Sequence, residues 1–470
     1  MHYTFPSGVG RGAGRTDEHD ADSCRRAYLR ISPADAPQSA AFRVDTFDIA
    51  GYGAAKRRAA LFRALAARAV GPCNRVTLQD AMGRQVIRVH ERTELPGDAP
   101  LILLDADADA GITEALLPGA VFRSLEVKPE AEIVQLCDRM MSNHWLLDPA
   151  RGQQRREGIA RIIRREVARA TGAGVLLVAT KPVLTALHAD AGQAHDSDAA
   201  LRQPLLGAVP RWFGPSTQGV NDFEGFASVI ILGRLQPDAE VLEDDARCLH
   251  GDDPEPFEEC PPGPLPETQV PRLMADGTVL SARTRSHPDP RCNALLRQLR
   301  ECSAAQAAAR LRLLAPDRPK RVLLLGSTPL PGLPPTRLAT LDAMLAGLED
   351  EPDATGYMRL HKALRAERDG PVRGTRLSAA GLALDLPREF ASPDAAKEFR
   401  RGRYTPGLCA LIGRIAQAEG WSVTELLLRK PGGGKPVPAI VFAPPTRAMH
   451  VARALWPGLA AEISAPSTPA

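Results

Sequence analysis

The residue types in this chain best suited to chemistry gather between Arg291 and Leu314, RCNALLRQLRECSAAQAAARLRLL. Gln306 is followed at helical spacing by Arg310, with Arg312 close behind, in surroundings rich in Ala and Leu. A guanidinium keeps its charge and offers a rigid fork of donors, so paired arginines at a helix turn suit phosphate oxygens. Three earlier stretches carry other polar groups: Asp105 and Asp107 in LILLDADADAGITEAL, Thr180 and Lys181 in GVLLVATKPVLTALH, and Gly219, Asn221 and Asp222 in GVNDFEGFASVIILGR. Closely spaced carboxylates suit a divalent cation, and hydroxyl and lysine donors hold phosphates without reading base sequence. A glycine lets the backbone approach a phosphate or ribose, and Asn221 offers both donor and acceptor.

These groups need elements to position them. Leu101–Leu104, GVLLVA (174–179), VIILG (229–233) and VLLLGS (322–327) are short apolar runs that read as strands buried on both faces. Asp105, Asp107 and Asp109 then fall at a carboxyl end, where open α/β sheets place their chemistry, with Asp109 also fit to cap the next helix. Arg151–Ala170 reads as a helix with Ile159, Ile162, Ile163 and Val167 on one face and arginines around it. Two strands, RVTLQD and RQVIRVHE, flank a turn at Met82-Gly83, after an amphipathic helix within 52–70. AEIVQLCD is a further alternating stretch, and a division is expected near Asp148-Pro149.

Composition sets outer limits. The 470 residues, 44% hydrophobic and 24% charged, are globular in character and suffice for about three domains. A net charge of +3 leaves any phosphate contact to local patches. The eight cysteines contain no Cys-x-x-Cys hook, so a zinc site is not expected, and scattered thiols fit a reducing cytoplasm. No run approaches the roughly 20 apolar residues of a membrane span, so no membrane partner is expected.

Taken in order, the four polar stretches resemble the later motifs of superfamily 2 (DEAD/DEAH-like) DNA helicases of the kind carried by prophages and integrative elements. Gln306 to Arg312 is similar to the family's Gln-x-x-Gly-Arg-x-x-Arg helix. Ala309 stands where Gly is usual, Leu313 where the last arginine is expected, and Arg312 sits one position early, about 100° around a helix. Asp105-Ala106-Asp107 stands where Ser-Ala-Thr or Asp-Ala-Thr couples two motor lobes. Thr180 and Lys181 take the place of nucleic-acid backbone contacts, and Gly219-Val220-Asn221, with Asp222, that of the Gly-Ile-Asp nucleotide loop. The lead-in His287-Pro288-Asp289-Pro290-Arg291 is also similar.

The resemblance, over roughly residues 75 to 335, implies an α/β fold of RecA-like lobes with parallel sheets. A loose segment (1–45) precedes a partial first lobe (46–148). A second lobe (149–335) follows, with an acidic, proline-rich surface insertion at 237–271, and then a C-terminal α+β accessory region (336–470) of winged-helix-like pattern. ATP and Mg²⁺ are the implied cofactors, with Arg310, Arg312 and Gln306 acting on the transferring phosphoryl group. DNA is the implied partner, and RNA is equally compatible. The nucleotide-gripping motifs are not evident: Gly8, Gly10, Gly12 and Gly14 lack the lysine of a P-loop, and Asp17-Glu18-His19-Asp20 lacks its hydrophobic strand. The expectation is therefore the carboxyl portion of a split or truncated motor, a hydrolase only when an N-terminal helicase lobe on another chain completes it. Two alternatives stay open. One is a Toprim-type, magnesium-dependent nucleotidyl transferase using Asp105 and Asp107, although Glu224-Gly225 follows rather than precedes them. The other is a nucleic-acid-binding remnant or adaptor without turnover.

In the remainder, Leu408–Gly420 reads as a helix, and Ser422–Arg429 and Val437–Ala443 as a hairpin around Pro431-Gly432-Gly433-Gly434-Lys435.

Overall fold

The structure, a computed structural model, describes residues 3–4, 57–66, 73–81, 84–91, 101–105, 107–125, 127–214, 217, 221–365 and 371–464. The chain divides into two compact units, Met1–Leu338 and Ala339–Ala470.

The first unit is built on a six-stranded sheet. In chain order its strands are β4 (Ala131–Leu136), β5 (Val175–Ala179), β6 (Val209–Trp212), β7 (Ser228–Leu232), β10 (Lys320–Leu325) and β11 (Arg337–Ala339). They lie in the order β11-β4-β10-β7-β5-β6, and every pairing from β4 to β6 is parallel. All five residues of β5 and of β7, and all six of β10, are buried, which is why their Val, Ile and Leu stretches read as apolar runs, with Ser228, Lys320 and Arg321 as buried polar members at the amino ends. One core cluster joins Ile133, Leu176, Val229, Ile231, Val322 and Leu324 of the sheet to Ala304, Ala308 and Leu311 of the arginine-bearing segment. Each large side chain so buried contributes about 1.5–3 kcal/mol.

Polar groups at the amino ends of the strands are paired rather than bare. Glu166, on the helix Gly152–Arg169, accepts from Ser228 Oγ at 2.6 Å and faces Arg321 Nε at 3.4 Å. Arg321 also pairs with Glu132, and Lys320 Nζ donates to the carbonyls of Glu224 and Phe226.

A second sheet pairs β2 (Val76–Ala81) with β3 (Arg84–Val89) antiparallel, as the alternation around Met82-Gly83 predicts, and β1 (Tyr3–Thr4) joins β3. Residues 57–66 are helical, with Ala60, Leu61 and Ala64 buried. A hairpin of β8 (Glu267–Leu273) and β9 (Val279–Arg285) stands between the helices Ala239–Leu249 and Pro290–Arg297.

Four expectations need correction. Leu101–Leu104 form no strand. They are 57–90% exposed and pair with none of the described strands. The division expected near Asp148-Pro149 separates no sheets, since β4, which precedes it, pairs with β10 in register from Lys320↔Ala131 onward. The insertion at 237–271 is not wholly superficial: Leu242, Ala246, Phe257 and Leu265 pack with Cys292 and Leu296 into a small core. Finally, the helical spacing expected from Gln306 through Arg312 does not persist: Pro290–Arg297, a π-helical turn over Gln298–Cys302 and Ser303–Ala309 follow one another without a break, and the run ends before Arg310 and Arg312.

The second unit has an antiparallel sheet ordered β12-β14-β13-β15, from Gly374–Arg376, Thr424–Arg429, Val437–Val441 and Ala460–Ile463. Its core gathers Leu360, Phe399, Leu411, Ile412 and Ile415 from three helices, with Phe390 from the loop before the second of them. The helix Thr405–Glu419 ends at Gly420, whose φ of +69° is the left-handed cap that glycine adopts without cost. The β13–β14 pairing reproduces the hairpin read around Pro431–Lys435.

Candidate functional site

The two arginines sit where the helix Ser303–Ala309 ends. Arg310 is its C-cap, and Arg312 follows in the left-handed region at φ +55°. The helical angle expected for Arg312 therefore does not apply, because a turn redirects the side chain. That turn brings Arg312 Nη2 to Asn221 Oδ1 at 3.1 Å, with Arg312 Nε 3.8 Å from Glu224. Arg312 is exposed, as are Asn221 and Asp222, whereas Arg310 is half-buried. Gly219 lies outside the described residues, as do Gly8–Gly14 and Asp17–Asp20.

Gln306, one turn before Arg310, hydrogen-bonds Asp107. Burial pushes the Asp107 carboxyl above its ordinary range; the Gln306 bond works against this and the nearby Asp105 charge adds to it. Asp105 is exposed, and its Oδ1 accepts from the Asp107 N–H at 2.9 Å. Asp109 caps the helix Ala110–Leu116 by accepting from Gly111 and Ile112. The structure thus joins Asp105, Asp107 and Gln306 in one group, and Asn221 and Arg312 in another.

Thr180 and Lys181 lie at the opposite, carboxyl end of the sheet, and both are engaged within the chain. Thr180 is buried and donates to Asn143 Oδ1 at 2.7 Å. Lys181 pairs with Asp198 at 2.5 Å and lies 5.5 Å from the centre of the Trp212 ring. The His-Pro-Asp-Pro-Arg lead-in is structural: Asp289 caps the helix Pro290–Arg297 and grips Arg291, whose guanidinium sits 3.8 Å over the Phe257 ring.

Among the described residues, no group of three or more His, Cys, Asp or Glu is placed to hold a metal, and no helix is long and apolar enough to cross a membrane. Comparison with known protein families, with curated proteins and with solved structures finds no match to this chain.

The sequence reading passed over the carboxyl ends of β4 and β7. Arg234, directly after the strand and its glycine, is 7% exposed, and the loop Cys137–Ser142 lies against it. The available signal was an arginine placed immediately after an unbroken apolar run and a glycine, where a strand ends.

Proposed function

We propose that this chain is the carboxyl portion of a superfamily 2-type DNA motor, which binds a nucleic-acid strand and lends arginines to an ATP site completed by a P-loop lobe on another chain. The observation that carries the proposal is the pairing of Arg312 with Asn221 at 3.1 Å. These residues belong to two motifs chosen separately from the sequence, and in a motor of this kind both would face the nucleotide. An open parallel sheet is the class of scaffold a RecA-like lobe requires, with the Arg312–Asn221 pair set at the amino ends of its strands. Arg310, one turn from Gln306, would stabilise charge on the transferring phosphoryl group.

The magnesium-dependent transferase is less well supported, because Asp105 accepts from the Asp107 N–H and Asp107 bonds Gln306, so both carboxylates are engaged within the chain.

ATP hydrolysis by the purified chain, with and without single-stranded DNA, tests the proposal. The expected result is DNA binding without turnover by the chain alone. Adding a P-loop lobe then restores DNA-stimulated turnover, and Arg310→Ala abolishes it. Turnover that depends on Asp105 and magnesium but not on Arg310 would replace the motor with the transferase.

A further inference from the structure

The richest unassigned feature is a cavity of about 210 Å³ at the carboxyl ends of β4, β7 and β10, bounded by Cys137–Ser142, Trp145, Arg234, Ser327 and the β8–β9 hairpin. Its place in the sheet is telling. β4 is followed by a crossover to β5 on one side, and its neighbour β10 by a connection back to β11 on the other. Open α/β sheets bind ligands in crevices at the carboxyl ends of adjacent strands whose connections run in opposite directions.

The crevice is lined with cations. Arg139, Arg234, Arg283 and Arg285 reach it, against Asp138 and Glu267. Glu267 is already held by Arg285 at 3.0 Å, with Arg283 at 3.9 Å. Arg234 is the unusual member. It is buried, yet its partners are the Met140 carbonyl at 2.8 Å, the Gln236 amide oxygen at 3.2 Å and the Met140 sulfur at 3.6 Å, with no carboxylate among them. Glu301, whose charge acts on Arg234 from a distance, is occupied by a two-pronged pair with Arg300 at 3.0 and 2.6 Å. Burial and the Arg300 charge together lower the Arg234 guanidinium to about 10. A buried cation without an anion is costly, and an anionic ligand removes that cost.

The backbone holds this arrangement in place. Met141 adopts φ +52°, and a side chain at Gly233, itself at φ +71°, would come within 2.7 Å of the Met141 carbonyl. Arg139 is exposed at the mouth, 5.4 Å from the centre of the Trp145 ring, and Ser327 borders the floor.

We propose that this cavity binds a phosphoryl group, held by Arg234 from within and by Arg139 at the mouth, with the Ser327 hydroxyl as a further donor. Its volume is below the roughly 300–1,000 Å³ of sites that enclose drug-sized ligands, so it takes a phosphate and little more. The group is either a backbone phosphodiester of a single strand or free phosphate. Only the first source rests on the motor reading.

The test uses the full chain, with fluorescence anisotropy on labelled single-stranded DNA across a salt series and calorimetric titration with inorganic phosphate. Arg139→Ala removes an exposed side chain and leaves the fold intact, Arg234→Lys keeps the charge but loses the fork, and Arg318→Ala, before β10, is the control. Each of the first two variants is expected to weaken binding about tenfold, and Arg139→Ala to lower the salt slope by about one phosphate. The control is expected to match the parent chain. Loss of strand binding in the variants identifies the phosphodiester. Loss of phosphate binding by a chain that never binds DNA identifies free phosphate, and it removes the motor reading while the site stands. Strand binding that is unchanged in Arg139→Ala and in folded Arg234→Lys, with no phosphate binding they disturb, overturns the site and leaves the motor reading in place. A parent chain that binds neither probe overturns both.

Discussion

Arg312 reaches Asn221 across 91 residues of sequence, at 3.1 Å and in full contact with water. An exposed pair of this kind contributes at most about 1 kcal/mol to stability. Arg312→Ala should therefore leave the denaturation midpoint within about 0.5 kcal/mol of the parent chain. In the completed motor, by contrast, it should lower DNA-stimulated turnover at least tenfold. Equal losses in stability and turnover would make the contact architectural.

Asp289 gives a pH-dependent prediction. Burial raises its carboxyl, but hydrogen bonds from Arg291 and from the Glu258 and Arg291 N–H groups prevail and hold it at about 2. A depressed folded value means stability that is present above the ordinary value of 3.8 and lost as pH falls through about 2. That linkage is worth about 2 kcal/mol. Asp289→Asn should lose a comparable amount at pH 7 in urea denaturation, and the difference from the parent should shrink in acid. A difference constant from pH 7 to pH 2 would assign the loss to packing alone.

His188 works at milder pH. The side chain is fully buried on the helix Lys181–Asp190, and burial pushes its pKa below 6.5. The stability linked to the neutral imidazole is complete above pH 6.5 and is lost as pH falls below it. His188→Leu should flatten the stability curve of the first unit between pH 7 and pH 5, measured by hydrogen exchange of β5 amides. An unaltered slope would show that other groups govern this range.

Gly233 is a backbone prediction. Its positive φ disfavours a Cβ, and its approach to Met141 leaves no room for one. Gly233→Ala should destabilise by roughly 2 kcal/mol or more, whereas Gly332→Ala, also at positive φ but in open space, should cost about 1 kcal/mol. Similar losses at both positions would mean that the loop can retreat.

The sequence foretold the parallel-sheet strands well, because β5, β7 and β10 are buried on both faces and carry the pattern without interruption. The same logic failed at Leu101–Leu104. An apolar run shows that a segment is fit for an interior, but not that a neighbouring strand is there to receive it. Helical spacing is legible from Gln306 to Arg310, whereas the π-helical turn at Gln298–Cys302 and the stop after Ala309 have no sequence signature. The direction of Arg312 is not legible in the sequence, since a positive φ on an arginine has no sequence signature. Arg234 was missed because a charge after a strand usually reads as the start of a loop, and only the fold shows that it is buried.

The contact between Gly233 and the Met141 carbonyl has a kinetic consequence. Two loops from different strands are wedged together before any ligand arrives, so little chain entropy remains to be lost on binding. Capture of phosphate should then proceed without a slow closing step, as a single concentration-dependent phase. The lifetime of the complex would be set by how readily the Arg139 side chain swings away from the mouth.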